Sequence, residues 1–444
     1  MDAQVNTRRV ILDILIEINE KGEFSNAVLK NALTKYQYLP HADRAFISRV
    51  VMGTVERKIT IDYIIDSFSK VRVTKMKPVI RNILRMSVYQ IIYMDSVKDF
   101  AACDEAVKLA VKKGFQNLKG FVNGVLRSIA RQKEEINNFT LPPDIEYSTP
   151  KWITDLWQQS YGDDYIRILQ NQYEDRPLSI RVNTAVIRPD ELKARLEAEG
   201  VTVNVSEYLP EALYISGYDY LGSIDAFEEG LFTVQDISSM LVAHVAAPVE
   251  NDTIIDLCAA PGGKSLHLAE MLKGTGKVMA RDLTEMKVSL IEENMERTGV
   301  SNVFPQVKDA TVYYPEDESM ADIVICDLPC SGLGILNKKP DIKYQASPEK
   351  CSELAALQRT ILDIAARYVK PGGRLIYSTC TLNPSENSDN AEWFLNNHDF
   401  TGISMETLLP DNLKQFAKGN QLEILPGVTG KWLDGFFISA FKRQ

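Results

Sequence analysis

The chain has 444 residues, 45% of them hydrophobic and 25% charged, which is too long for one ordinary core and implies two or three folded domains. Its net charge of −10 speaks against a uniformly basic nucleic-acid binder, and no apolar run approaches the ~18 residues of a membrane span. Six cysteines without a C-x-x-C pair and four scattered histidines point to a reducing cytoplasm, with no metal, no membrane and a monomer as expectations.

The charge is uneven. Residues 1–140 hold 23 Lys and Arg against 15 Asp and Glu, a surplus of +8, and the remainder holds 27 against 45, or −18. A basic front on an acidic body fits a polyanion-docking module joined to something else. The opening MDAQVNTRRVILDILIEINEKG has acidic residues inside its apolar pattern and no small-residue cleavage site, so it reads as an amphipathic helix rather than a signal peptide. RRVILDILIEI, FSNAVLKNAL, AFISRVVMGTVERKITIDYIIDSF, VIRNILRMSVYQIIYM, ACDEAVKLAVKK and GFVNGVLRSIARQ follow with helical apolar spacing. The breaks KGE, YLPHAD, KMKP and KGFQNLKG divide them. Residues 1–140 are therefore expected to form an all-α domain. Lys70, Arg72, Lys75, Lys77 and Arg81 are its candidate phosphate contacts, weighed against ordinary solvated positions.

NNFTLPPDIEYSTP, residues 137–150, has tandem prolines and little periodicity and reads as a linker. PLSIRVNT, PDELKARLEAEG, VTVNVSEY and ALYIS then alternate strand and helix, giving a linker and small α+β domain over 141–230. From 231 to 444 short apolar strands alternate with helices: TIIDL, KVMARD, NVFPQVKD, ADIVICDL and GRLIYSTC, with GFFISAFKR last. That alternation means a mostly parallel, doubly wound, Rossmann-like sheet.

TIIDLCAAPGGKS, residues 253–265, is strand, turn and helix start. Pro261-Gly262-Gly263 lets the backbone pass close to a ligand, and the following helix directs free N–H groups there. Asp256, Asp282 and Asp309 end three successive strands, where an acidic side chain receives ribose hydroxyls or other polar groups. The loop is neither G-x-G-x-x-G nor a P-loop, so nicotinamide and triphosphate readings are weak. Three acidic strand ends suit a nucleoside carrying a cation, which points to S-adenosylmethionine. The bland alternative is that Gly and Pro only make a turn.

Ligands of an open parallel sheet bind at the carboxyl ends of its strands. ADIVICDLPCSG puts Asp327 and Cys330 at one such end, and GRLIYSTC puts Cys380 at another. If the strands are neighbours they lie ~4.8 Å apart and both thiols face the methyl donor. Cys326 reads as core, Cys103 and Cys351 as packed helical residues, and Cys258 as packed within the loop. A thiolate beside such a donor suits methylation of cytosine carbon 5. Addition to carbon 6 makes carbon 5 nucleophilic, and a base then removes the carbon 5 proton.

DLCAAPGGKS, DLPCSG and STCT with Pro384-Ser385-Glu386-Asn387 resemble the motifs of the RNA cytosine-C5 methyltransferases. The resemblance implies Cys380 as nucleophile, Cys330 in proton removal and product release, and Asp327 as a contact to the target base. It implies Asp256, Cys258, Ala259, Ala260, Pro261, Gly262, Gly263, Lys264, Asp282, Asp309 and Asp327 as cofactor positions. SIRVNT (Arg181, Asn183), VQDISSM and DGFF match accessory motifs. The front is similar to the NusB fold, an RNA-binding helical domain. The combination resembles the bacterial 16S ribosomal RNA cytosine-C5 methyltransferases of the RsmB type, implying 16S ribosomal RNA as partner and cytosine 967 as target.

Two departures stand out. Leu328 occupies a position that is commonly Ala, and in NKKPDIKY (337–344) Lys338, Lys339 and Tyr344 replace Arg and Trp; Lys338, Lys339 and Lys343 are phosphate candidates there. Three alternatives stay open: the same chemistry on another RNA such as transfer RNA, a non-catalytic RNA-binding or ribosome assembly factor, and an amino- or oxygen-directed methyltransferase that would not need Cys380.

Overall fold

The computed structural model describes residues 5–444. The chain divides into two compact units. One holds the residues up to Leu169 together with Leu336–Gln345; the other holds Gln170–Ile335 and Ala346–Gln444.

The first unit is helical. Thr7–Lys21 begins where Asn6 accepts from the Arg9 N–H at 2.9 Å, and it ends at Gly22 in the left-handed region. Its apolar stripe (Ile11, Leu15, Ile18) packs with buried residues of Pro78–Tyr93, among them Ile80, Leu84 and Val88. The expected single helix through 45–68 is two helices, His41–Glu56 and Lys58–Phe68. No glycine or proline marks the break; the Arg57 N–H ends one helix on Gly53 O and its carbonyl starts the next by accepting from Ile61.

The stretch read as a linker is built into this unit. It contains the short helix Pro143–Glu146, and its carbonyl at Ile145 accepts from Thr60 Oγ1 at 2.5 Å while Ser148 Oγ accepts from Ile59 N at 2.8 Å. The segment Leu336–Gln345 belongs to the same unit. Asp341 takes the Ser25 hydroxyl at 2.5 Å and the Ser25 N–H at 3.0 Å. Lys343 is buried and donates to Glu56 O at 3.0 Å, and Tyr344 lies under the Lys58 ammonium, 3.6 Å from its ring centre. Lys343 is thus unavailable to phosphate, a correction explained by its burial. Arg81 is committed too, held bidentate by Glu20. Lys70, Arg72, Lys75, Lys77, Lys338 and Lys339 are exposed.

The second unit holds two sheets. β1 (Leu178–Val182), β2 (Thr202–Val205), β3 (Ala212–Ser216) and β4 (Phe232–Val234) form an antiparallel sheet in the order β2-β3-β1-β4. The larger sheet contains β5 (Thr253–Asp256), β6 (Lys277–Asp282), β7 (Val303–Val307), β8 (Ala321–Asp327), β9 (Val369–Thr379), β10 (Phe400–Gly402), β11 (Ala417–Lys418), β12 (Gln421–Ile424) and β13 (Phe436–Arg443). Its order is β11-β12-β13-β9-β8-β5-β6-β7, with β10 beside β13. β9, β8, β5, β6 and β7 are parallel, and β13 is antiparallel to β9. The order reverses between β5 and β8, which opens a crevice at their carboxyl ends. The expected architecture, an all-α front, a small α+β part and a doubly wound body, is the one observed. Among the described residues no helix is long and apolar enough to cross a membrane.

Candidate active site

β5 delivers Asp256 at its last residue and β6 delivers Asp282 at its last; β7 ends two residues before Asp309. The turn between β5 and the helix Gly263–Met271 is tied to β6 by the Ala259 N–H on Arg281 O at 2.8 Å, and closed by the Gly262 N–H on Ala259 O at 2.7 Å. The Ala260–Pro261 bond is cis. Gly262 sits at φ +102°, a conformation that a side chain would strain, and an added Cβ would meet Ile291 at 3.3 Å. The carboxylate of Asp282 receives the N–H groups of Ala260 at 3.0 Å and Leu283 at 2.8 Å, and Lys287 at 2.9 Å. Asp309 uses one oxygen on Thr311. Cys258 is half-buried and packs against the apolar cluster around Leu257; burial and the neighbouring carboxylates push its thiol up.

These residues fit S-adenosylmethionine. Asp256 is 1% exposed, and only one of its oxygens is used, by Ser265 Oγ at 2.6 Å; the other is buried without a partner. A buried acceptor in that state has a strong requirement for a donor such as a ligand amine or hydroxyl. Burial lifts the Asp256 carboxyl to about 7 against the opposing Ser265 hydrogen bond, a cost that a cationic ligand offsets. Asp282 keeps acceptor capacity beyond its three donors, and the backbone at Gly262 leaves room for close approach.

The two thiols lie together on the rim. β8 and β9 are neighbours, with Asp327 opposite Ser378, and Cys330 Sγ is 3.4 Å from Cys380 Sγ. Neither is in a disulfide. Lys264, the second residue of the cofactor helix, reaches across to Asp327 at 2.6 Å, and the Ser378 hydroxyl takes the other Asp327 oxygen at 2.8 Å. Burial alone would lower the Lys264 ammonium, but Asp327, Asp256 and Cys380 outweigh it and its pKa rises. This ammonium is the cation that lies close enough to favour a thiolate at Cys380. Cys330 differs: its hydrogen bond with Cys380, its burial and the charge of Glu386 hold its thiol well above the ordinary range. Two identical side chains are therefore electrostatically distinct.

Cys326 and Cys103 are buried in apolar clusters and Cys351 is buried too, as read, the last beside Ser331 and Glu386. Leu328 is buried too, in the cluster containing Leu257 and Cys326, so its extra bulk is absorbed by the core. The accessory motif residues brace the site from behind. Arg181 is buried and bonds Glu270 at 2.8 Å, Gln235 at 3.1 Å and Gly263 O at 3.0 Å, which fixes the start of the cofactor helix. Asn183 donates to Gly230 O and Thr298 O, and Asp236 caps the helix Ile237–Ala246. Sequence reading missed the network under Cys330, above all Ser331, Thr381 and Glu386; the Pro384–Asn387 stretch held the signal but named no partner. It also missed that His244 and His267, distant in sequence, both approach Glu211, at 2.5 and 3.4 Å. This is a grouping of three potential metal-ligand side chains among the described residues.

Comparison with known proteins agrees with this geometry. The family model described as 16S rRNA methyltransferase RsmB/F matches residues 243–442, the NusB family model matches 5–131, and an RsmF/B-like ferredoxin-like domain matches 149–218. A probable ribosomal RNA small subunit methyltransferase B of Bacillus subtilis is 35% identical, covering 99% of each chain. The ribosomal RNA small subunit methyltransferase B of Cronobacter sakazakii is 30% identical, again over 99% of each. Among solved structures, PH0851 superposes over 100% of both chains with a TM-score of 0.81 at 27% identity. A methyltransferase homologue from Pyrococcus horikoshii covers 68% of this chain and 98% of its own, with a TM-score of 0.57 at 26% identity. The turn with its buried acceptor, the paired thiols and full-length similarity at this level lead to one conclusion: the chain belongs to the ribosomal RNA small subunit methyltransferase B family of S-adenosylmethionine-dependent methyltransferases.

Proposed function

We propose that this protein methylates carbon 5 of a cytosine in 16S ribosomal RNA, at position 967, through a covalent bond between Cys380 and carbon 6 of the base. The observation that carries the reading is the pair of thiols 3.4 Å apart at the carboxyl ends of adjacent parallel strands. A methyltransferase acting on nitrogen or oxygen has no use for such a pair, and a non-catalytic assembly factor has no chemical need of either thiol.

When bound, S-adenosylmethionine supplies an electrophilic methyl group. Asp256, Asp282, Asp309 and the 258–264 turn hold it. Cys380 adds as thiolate to carbon 6, with Lys264 steadying its charge. Asp327 engages the N3–N4 edge of the base, a pattern that selects cytosine. Carbon 5 then takes the methyl group, a base removes the carbon 5 proton, and the carbon–sulfur bond breaks to return the Cys380 thiolate. Cys330, beside it, serves proton removal and release. The target base must leave its stack to reach the crevice. The exposed lysines and Arg72 of the helical unit contact phosphates, which position the RNA without reading it. The division into 1–140, 141–230 and 231–444 is kept as the functional one, supported by the limits of the three family models. A cytoplasmic monomer completes the reading.

The test is incubation of the protein with S-adenosylmethionine and unmodified 16S RNA, followed by bisulfite sequencing. One new 5-methylcytosine, absent with Cys380→Ala, is the expected result. A mark only on transfer RNA would move the substrate, and activity that survives Cys380→Ala would overturn the covalent route.

A further inference from the structure

The loop carrying Cys330 and the loop carrying Cys380 meet over a buried carboxylate. Glu386 lies in the short helix Pro384–Glu386 and is 0% exposed. Its Oε1 accepts from the Ser331 hydroxyl at 2.5 Å and from Asn383 Nδ2 at 2.8 Å. Its Oε2 accepts from the Ser331 N–H at 2.8 Å and from Gln358 Nε2 at 3.1 Å. An ionised carboxylate offers about four acceptor directions, so four donors fill it. Every one of the four is neutral. The donors come from the Cys330 loop (Ser331), the loop after Cys380 (Asn383) and the helix Pro348–Tyr368 (Gln358), and Gln358 also donates to Pro329 O at 2.9 Å. The same two loops are joined by Ser331 Oγ and Thr381 Oγ1 at 2.7 Å, and by the Gly334 N–H on Cys380 O at 3.0 Å. A Cβ at Gly334 would stand 2.8 Å from that Cys380 oxygen and 2.2 Å from Gly435 O, so the approach is backbone on backbone.

Buried charges are costly unless fully hydrogen-bonded, and apolar packing could have joined these loops without one. We infer that Glu386 is a positioning residue for methyl transfer: through Ser331 it fixes Cys330 against Cys380, and so sets the separation at which the second thiol can act on the covalent adduct. The hydrogen bond with Cys380, burial and, to a lesser degree, the Glu386 charge raise the proton affinity of the Cys330 sulfur, which suits a group that takes up a proton, whereas Cys380 has Lys264 nearby. The inference rests on the covalent reading proposed above.

Glu386→Gln is the discriminating variant. It is isosteric, but its amide directs N–H groups at donors on one side of the hub, so Ser331 or its neighbours lose an acceptor. Full-length wild type, Glu386→Gln, Ser331→Ala and Cys330→Ala are incubated with S-adenosylmethionine and unmodified 16S RNA. Product, covalent RNA–protein adduct on a denaturing gel, cofactor affinity and melting temperature are recorded. Glu386→Gln is expected to lower kcat about a hundredfold, the scale of a roughly 1 Å misplacement. KM for RNA should change less than threefold, cofactor affinity should stay the same, and adduct should accumulate as in Cys330→Ala. Ser331→Ala, which keeps the backbone N–H bond, should show the same signature about tenfold milder. It also serves if Glu386→Gln does not fold. Wild-type kcat without adduct in both variants overturns the inference, as does a loss of activity that only tracks a lower melting temperature. A wild-type protein that makes 5-methylcytosine but never forms an adduct in any variant removes the covalent reading itself, and the inference with it.

Discussion

The helical unit and the rim of the large sheet are held together in different ways. In the helical unit Ile11, Leu15, Ile80, Leu84 and Val88 fill one apolar interior, where volume and patterning matter more than identity. On the rim, Lys264, Asp327 and Ser378 form one polar network and Ser331, Thr381 and Glu386 another, and in each every donor has a specific acceptor. Apolar packing is graded and tolerates exchange. A buried polar network is not graded, because one missing partner leaves a desolvated group behind. The difference explains how the site can hold two thiols in a fixed arrangement 3.4 Å apart.

The sharpest way to break this comparison is Cys380→Ala. It should abolish methyl transfer, by at least about 10⁴-fold, while a urea titration should give an unchanged midpoint. A parallel loss of stability would mean that the rim residue was part of the packing after all.

Leu84→Ala in the helical unit should do the opposite. It should cost about 3 kcal/mol of that unit's stability by cavity formation, with kcat little altered at temperatures where the unit stays folded. Cys330→Ala comes next. About a hundredfold loss of turnover is expected, with adduct accumulating at near-wild-type stability; turnover at the wild-type rate would remove Cys330 from the reaction.

The cofactor turn offers a pH test. Burial raises the Asp256 carboxyl to about 7, well above the ordinary carboxylate range. In the free protein this contribution to stability is fully present below about 4 and is lost as the pH rises through 7, because burial favours the protonated form. S-adenosylmethionine, a cation, favours the ionised form. Its Kd should therefore weaken about tenfold from pH 7.5 to pH 6, at most one decade per pH unit, and Asp256→Asn should flatten the profile. Titration calorimetry across that range settles it, and a flat wild-type profile would detach Asp256 from the ligand.

The smallest effect is expected at Ser25→Ala. Removing the hydroxyl that bonds Asp341 at 2.5 Å should cost about 1 kcal/mol. Cleavage after the exposed Lys338 by trypsin should quicken correspondingly; an unchanged rate would mean that the segment Leu336–Gln345 is held by Lys343 and Tyr344 instead.

Much of this was legible along the chain. Helical periodicity identified the front, and strand–helix alternation identified the body, because burial of one face imposes those periods on any sequence that forms them. The turn at 258–264 and the cysteines after β8 and β9 were legible because loop chemistry is local: Gly262 needs its backbone freedom, and a strand end needs a polar residue where a ligand waits. The break at Arg57 was not legible, since its neighbours are good helix formers and only packing interrupts them. The segment 137–150 looked like a linker because prolines and low periodicity describe a loop whether or not it is packed. NKKPDIKY offered three phosphate candidates because its lysines are equally basic in sequence when buried, yet Lys343 lies inside the helical unit.

The sequence by itself determined which elements form and which residue types could carry the chemistry, because secondary-structure period and side-chain reactivity are properties of short stretches. Only the tertiary structure decided who meets whom. The pairing of β8 with β9 brings Cys330 to Cys380 across fifty residues, and the fold of the rim places Glu386 beneath Ser331. The same folding turns Lys264 toward Asp327. Hydrogen bonds and thiol–thiol contacts act over about 3 Å, a distance that chain order does not encode and that only packing can set.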